Sequence, residues 1–150
     1  HPGAILVPCP RSTLLRQGSL WSPLRIAEEL VAVGLGKEVQ VLLERFKVAP
    51  SSSSAERGER PGIMTHLDTL RVVLSPPLLG QTKLVVVDDV ITRGATLWAA
   101  VSLLKEQFPQ SEVKAFALVR TLGLQPEIER IVAPCVGTIR NLEGEARREP

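Results

Sequence analysis

The feature that most constrains the fold is the apolar run of residues 84–87, which contains three consecutive valines. A continuous run of this kind is typical of a strand covered on both faces, as the strands of parallel sheets are. Two carboxylates, Asp88 and Asp89, follow directly, and a helical pattern then covers residues 95–108 until Pro109 ends it. A strand followed at once by a helix predicts a βα unit of a parallel sheet.

Short apolar runs and helical patterns alternate along the rest of the chain. The other predicted strands cover residues 4–7, 39–43, 71–74 and 113–119, with weaker candidates at 131–133 and 136–139, and the other predicted helices cover 24–35 and 63–70. We therefore expect an α/β fold with a mainly parallel sheet. Such sheets bind ligands at the carboxyl ends of their strands, which directs attention to the loops after Val7, Leu43 and Val87.

The length of 150 residues and the 44% of hydrophobic residues suit one domain, residues 1–150, with a core of its own. Residues 46–62 are polar and charged, and we expect a flexible loop there, inserted after the second strand. Residues 143–150 are expected to form a frayed, charged tail. The sequence begins without Met, so an upstream element is expected to be missing. No apolar run approaches the roughly 18 residues of a membrane span.

Charge and aromatic content limit the classes of partner that the chain is expected to bind. A net charge of +2 slightly favours anionic ligands, whereas 3% aromatic residues and no Tyr supply base-stacking surfaces poorly, so nucleic acid is not an expected partner. Cys9 and Cys135 form no C-x-x-C pair, which argues against a zinc site. We interpret them as free thiols of a cytoplasmic protein, and a disulfide between them stays open.

Residues 88–96 have the composition of a phosphate-binding turn. Backbone N–H groups at the start of a helix are unpaired and carry partial positive charge. Thr92 and Thr96 add hydroxyl donors, and Gly94 lets the backbone approach a ligand closely. Asp88 and Asp89 would repel a phosphate and suit ribose hydroxyls or a divalent cation instead. The alternative is a strand end whose Asp and Thr side chains only cap a helix.

This segment resembles the phosphoribosyl pyrophosphate (PRPP) signature of type I phosphoribosyltransferases. The resemblance implies that Asp88 and Asp89 hold the ribose 2′ and 3′ hydroxyls. It also implies that five residues wrap the 5′-phosphate: Thr92, Arg93, Gly94, Ala95 and Thr96. Arg93 stands where the family usually has a small residue. Thr92 stands where oxopurine-specific members carry an acidic general base, which argues against a hypoxanthine/guanine-type mechanism.

Two other segments take family roles under the same resemblance. Residues 8–12 lie where the family has its pyrophosphate loop, so Arg11 and Ser12 would hold the diphosphate, although a turn with a surface arginine fits equally. The polar segment from Arg45 to His66 lies where the family has a flexible catalytic loop that closes over PRPP. Three side chains there would neutralise the departing pyrophosphate, unless the segment is a solvated linker: Lys47, Arg57 and Arg60. We interpret His66 as a helix-surface residue, with a ligand contact as the alternative.

The resemblance implies an enzyme, a pentosyltransferase of nucleotide metabolism. It would bind PRPP with Mg²⁺, transfer the phosphoribosyl group to a nitrogenous base or amine, and release pyrophosphate. Asp88 and Asp89 would position the sugar, while Arg11 and Arg60 would meet the charge of the leaving group. Mg²⁺ would be held through PRPP, and direct binding to Asp88 or Asp89 is the alternative. A homodimer is expected, as in many relatives.

Two alternatives to the enzyme stay open. One is a non-catalytic PRPP- or nucleotide-binding regulator, because binding and catalysis use overlapping residues. The other is an accessory protein in DNA uptake, because the order Val-Pro-x-Pro, arginine and helix resembles the ComF-like branch. The Arg-Gly-Phe-Asn-Gln element of that branch is replaced here by residues 17–21, Gln-Gly-Ser-Leu-Trp.

Overall fold

The computed structural model describes residues 3–14, 18–49, 62–73, 82–121 and 133–149. Its elements, in chain order, are β1 (Ile5–Pro8), α1 (Ser22–Ala32), β2 (Glu38–Val39), β3 (Leu43–Arg45), α2 (Ile63–Leu67), β4 (Leu70–Val72), β5 (Lys83–Ile91), α3 (Ala95–Gln107), β6 (Glu112–Arg120), β7 (Thr138–Leu142) and β8 (Glu145–Glu149). Within these stretches, no helix has the length and apolar character needed to cross a membrane.

A four-stranded parallel sheet in the order β2-β1-β5-β6 forms the centre of the fold. Successive side chains of a strand point to opposite faces, so the valine run of β5 packs against the helices on both faces of the sheet. Leu84 and Val86 pack on one face in a buried cluster with Leu104 of α3. Val87 packs on the other face with Ala27 of α1. The predicted α/β fold class, a parallel sheet with helices on both faces, is confirmed.

The helices that follow β1 and β5 lie on opposite faces of the sheet, although the two strands are neighbours. β1 pairs with β5 from Ile5 opposite Leu84 to Pro8 opposite Val87. The chain therefore leaves the carboxyl ends of the two strands in opposite directions. In parallel α/β sheets a crevice opens at such a point, and ligands bind there.

The strand predicted at residues 39–43 is wrong as one element. β2 ends at Val39, and Gln40 donates its N–H to the carbonyl of Leu6 before the chain bends. Val41 is exposed while Leu42 is buried, so the backbone turns out of the sheet between them. β3 then pairs with β4 in an antiparallel ribbon. The apolar run hides this bend, because continuous hydrophobicity does not reveal a change of strand direction.

The other predicted elements are confirmed with shifted ends. α1 ends at Ala32, short of the expected residue 35, and Gly34 then adopts a φ of 79°. α2 ends at Leu67 and β4 starts at Leu70, where a single helix to residue 70 was expected. Residues 50–61 of the expected loop, Leu74 and residues 131–132 of the strand candidate at 131–133 lie outside the described residues, and Ala133 is not part of a strand.

A β-hairpin replaces the expected frayed tail, and that expectation is wrong for residues 143–149. β7 and β8 pair antiparallel around Glu143 and Gly144, both at positive φ (54° and 90°), as a two-residue type I′ turn requires. The guanidinium of Arg148 docks the hairpin on the sheet by donating to the carbonyls of Ile91 (3.2 Å) and Thr121 (2.7 Å). The charged composition had predicted a solvated tail. Here, however, the charged side chain of Arg148 hydrogen-bonds to backbone carbonyls.

Two glycines test how closely the hairpin packs. Gly94 (φ 94°) and Gly34 (φ 79°) are both left-handed, but only at Gly94 would a Cβ meet another residue, 2.8 Å from Cδ1 of Ile139. We expect Gly34→Ala to lower the free energy of unfolding in urea by about 1 kcal/mol. Gly94→Ala should cost about 1 kcal/mol more, because it also overpacks Ile139. The extra cost should shrink in an Ile139→Ala background, and equal losses at both glycines would contradict the packing.

Candidate functional site

A cavity of about 860 Å³ opens where β1 and β5 end side by side. Its walls are the loop after β1 with the start of α1, the end of β5 with the start of α3, one residue each of β3 and α2, and two residues of β8. The sequence-predicted residues that line it are Arg11, Ser12, Asp88, Asp89, Thr92, Arg93, Gly94, Ala95 and Thr96. Arg57 and Arg60 lie outside the described residues, and Lys47 is exposed and away from the cavity lining.

The two carboxylates lie within β5, where the sequence suggested that the strand ends before them. Pairing with β6 continues from Asp88 opposite Ala117 to Ile91 opposite Arg120. Backbone hydrogen bonds to the neighbouring strand outweigh the low strand preference of aspartate. Asp88 Oδ1 also accepts from the N–H of Asp89 at 3.0 Å, so the first carboxylate is held by the backbone of the second.

The carboxyl group of Asp88 keeps its proton to a higher pH than an ordinary aspartate does. Burial, followed by the charge of Asp89, raises its pKa from 3.8 to about 7. The thiol of Cys9 is fully buried close to this carboxyl group. Burial, followed by the charge of Asp88, holds the pKa of Cys9 well above its usual value. Cys9 is therefore a protonated thiol and not a thiolate nucleophile.

The turn after β5 presents backbone to the cavity. Gly94 is the N-cap residue of α3, and because glycine has no side chain, no side-chain capping bond is made to the helix. The first helical hydrogen bond runs from the N–H of Trp98 to the carbonyl of Gly94 at 2.8 Å, so the preceding N–H groups have no intrahelical partner. Arg93 does not occupy the turn, because its Nη1 donates to Oε2 of Glu145 on the hairpin at 3.0 Å.

The loop after β1 is fixed from two sides. The N–H of Cys9 donates to the carbonyl of Val87 at 2.8 Å, and Nε1 of Trp21 donates to the carbonyl of Cys9 at 2.8 Å. Nη1 of Arg11 donates to the carbonyl of Leu20 at 2.6 Å, which ties the two ends of the loop together. The side chain of Arg11 is thus held at the cavity.

Arg45 is a cavity residue that the sequence did not single out. It is 7% exposed, and its Nε and Nη1 donate to the carbonyl of Arg11 and the hydroxyl of Thr69. Among the residues that the structure describes, no carboxylate forms an ion pair with it. Uncompensated buried charge is costly, so this guanidinium favours an anion in the adjoining cavity.

His66 was interpreted as a helix-surface residue, and that interpretation is wrong. It is 2% exposed, because α2 packs one face on α3 and that face carries His66 together with Ile63. The i, i+3 spacing of these two residues was the sequence signal for a shared buried face. Burial, followed by the charge of Arg45, lowers the pKa of His66 from 6.5 to about 4, so the ring is neutral at physiological pH.

No family model and no curated protein matches the chain. Among solved structures, a crystal structure of adenine phosphoribosyltransferase is similar with a TM-score of 0.43 and 14% sequence identity. The match covers 79% of this chain and 57% of that one. The chain therefore spans less than two thirds of that protein's length.

The raised pKa of Asp88 predicts a pH dependence of stability. The folded state holds a proton that the unfolded chain releases between pH 4 and about 7, so this contribution is lost as pH rises through about 7. We expect the unfolding free energy of the wild type, relative to Asp88→Asn, to fall by about 1 to 2 kcal/mol between pH 5 and 8. This change in free energy is smaller than the full pKa shift of Asp88 would give, because Asp88 faces the cavity.

His66 acts in the opposite direction, since its lowered pKa removes stability as pH falls from 6.5 to about 4. His66 is present in both the wild type and Asp88→Asn, so its contribution cancels in the difference between their unfolding free energies. The exposed Asp68 lies outside the cavity lining and supplies the matched control variant, Asp68→Asn, which should not reproduce the fall expected for Asp88→Asn. A difference for Asp88→Asn that stays flat over pH 5 to 8 would contradict the assignment.

Proposed function

We propose that the chain binds Mg²⁺-PRPP in this cavity and transfers its phosphoribosyl group to a nitrogenous base or amine, as type I phosphoribosyltransferases do. One observation carries the proposal. A single cavity at the point where β1 and β5 part has two carboxylates on one side and, on another, a buried arginine that forms no ion pair with any residue the structure describes. Such opposed groups suit a ligand that has hydroxyls and negative charges at separate positions.

The turn at residues 92–96 suits the 5′-phosphate. Free N–H groups at the start of α3 and the positive end of its helix dipole both favour an anion. Gly94 has no side chain to block the approach, and Thr96 adds a hydroxyl at the cavity surface. Arg93 is engaged by Glu145, so the turn would recognise the phosphate mainly through backbone groups.

Asp88 and Asp89 suit the ribose hydroxyls, because carboxylate oxygens accept hydrogen bonds from them. A carboxyl group with a pKa of about 7 also loses its proton at little cost when a ligand requires it. These two oxygen-bearing side chains fit Mg²⁺ as well, since the ion binds through one or two carboxylates together with substrate phosphates and water. Within the described stretches no three His, Cys, Asp or Glu residues gather, so PRPP would complete the coordination.

The loop after β1 and the buried arginine suit the diphosphate. Arg11 and Ser12 line the cavity and can donate charge-assisted hydrogen bonds. Arg45 adds a positive charge beneath the same loop, through its bond to the carbonyl of Arg11. A diphosphate in this position would offset the buried charge that the described carboxylates leave uncompensated.

In the proposed reaction, a nitrogen atom of the acceptor forms a bond to the anomeric carbon while the bond from that carbon to pyrophosphate breaks. Positive charge develops on the ribose near Asp88 and Asp89, and negative charge develops on the leaving group near Arg11. Bound Mg²⁺ would neutralise part of the pyrophosphate charge. The loop, the turn and the carboxylates hold the sugar and its two anionic ends in line for displacement.

We expect the double variant Asp88→Asn with Asp89→Asn to bind Mg²⁺-PRPP at least about a hundredfold more weakly, because both acceptors of the ribose hydroxyls lose their charge. Isothermal titration calorimetry measures the affinity, and circular dichroism checks that the fold is retained. The exposed Asp68→Asn should bind like the wild type. Unchanged affinity in the double variant would remove the assignment. Turnover with a panel of bases separates a transferase from a regulator that only binds PRPP.

A further inference from the structure

A hydrogen-bond network crosses the wall of the cavity from one expected anion-binding loop to the other. Arg45 donates from Nε to the carbonyl of Arg11, on the loop after β1. Its Nη2 lies 3.4 Å from Nδ1 of His66. Nε2 of His66 lies 3.3 Å from Oγ1 of Thr96, in the first turn of α3. We call these three side chains the Arg45–His66–Thr96 network.

The arginine fixes the direction of every bond in the network. A guanidinium has donors only, so Nδ1 of His66 must accept from Arg45. A neutral imidazole that accepts at Nδ1 carries its hydrogen on Nε2, and this hydrogen points at Oγ1 of Thr96. The ring stays neutral at physiological pH because burial and the neighbouring guanidinium lower its pKa to about 4.

The consequence for Thr96 is a directed hydroxyl. Oγ1 accepts from His66, so its own hydrogen must point elsewhere, and Thr96 lines the cavity. Donors aligned before the ligand arrives lose little entropy on binding, and bonds in series polarise one another. The buried charge of Arg45 is thereby felt at the hydroxyl without direct contact.

The rest of the network is anchored on α2, which makes the arrangement rigid. Oγ1 of Thr69 accepts from Arg45 and donates to the carbonyl of Thr65 at 2.7 Å. Arg45 is thus bound to the loop after β1, to the end of α2 and to the ring of His66 at once.

We propose that Arg45 and His66 are positioning residues that present the hydroxyl of Thr96 to a phosphate monoester and hold the Arg11 loop at a fixed distance from it. This inference rests on the proposed function, because it concerns the same cavity. It adds two residues and a defined histidine tautomer to the site. Neither residue touches the reacting atoms.

The tautomer is tested in the ligand-free protein by ¹⁵N NMR of the histidine side chains. The chain has two histidines, so His1→Ala leaves only the signals of His66. We expect a neutral Nε2–H ring at pH 7. An Nδ1–H tautomer or an imidazolium would overturn the inference, whether or not a ligand binds.

The role in binding is tested by a double-mutant cycle with ribose 5-phosphate as the probe. Thr96→Val removes the hydroxyl and His66→Phe removes the ring nitrogens, and each should weaken binding about tenfold. The double variant should bind no more weakly than Thr96→Val alone, because His66 acts through the hydroxyl. Additive losses, or wild-type affinity in His66→Phe, would overturn the inference.

Two conservative variants separate positioning from folding. His66→Gln keeps one acceptor and one donor at similar positions and should recover most of the affinity that His66→Phe loses. Thr96→Ser keeps the hydroxyl and should bind within about twofold of the wild type. Failure of His66→Gln to bind better than His66→Phe, with both proteins folded, would contradict the network.

Absence of ribose 5-phosphate and PRPP binding in the wild type would overturn the proposed function as well. Additive losses in the double-mutant cycle, with intact wild-type binding, would overturn this inference alone.

Discussion

The parallel pairing of β1 with β5 is the constraint on which the site depends. Pro8 ends β1 opposite Val87 and has no N–H, and the next donor, the N–H of Cys9, bonds to the carbonyl of Val87. That bond brings the thiol of Cys9 against Asp88 and directs the following loop over the cavity. Because α1 and α3 lie on opposite faces, the same pairing opens the space that the two loops surround.

The cavity is lined both by carboxylates and by a buried arginine, which favour ligand groups of opposite charge, and the fold places them on different sides. Asp88 shares a strand with Asp89, so their repulsion and burial raise the pKa of Asp88. Arg45 lies on the other side with no described carboxylate as partner, bonded to neutral acceptors such as Thr69. Such an arrangement lowers stability in the absence of ligand, and sites of this kind are where a sequence departs from optimal packing.

Sequence reasoning succeeded where the signal was local. The valine run, the turn around Gly94 and the helix that Pro109 follows are each specified by residues adjacent in the chain. It failed where the structure depends on contacts between distant residues. Nothing around Arg45 reveals that its guanidinium meets His66, 21 positions later. The hairpin was missed for the same reason, because Arg148 is stabilised by carbonyls of β5 and the residue after β6 that only the fold brings near it.

The hairpin explains why the turn after β5 can remain a backbone site. Ile139 occupies the space beside Gly94 that a Cβ would need, and the N–H of Ile63 bonds to the carbonyl of Gly144, so the hairpin joins the turn to α2. Glu145 binds the guanidinium of Arg93 at the edge of the cavity. Under the proposed function, a turn whose charged side chain is engaged elsewhere would recognise an anion by the directions of its N–H groups. Directional N–H donors favour a compact tetrahedral anion, because its oxygens can satisfy several of them at once.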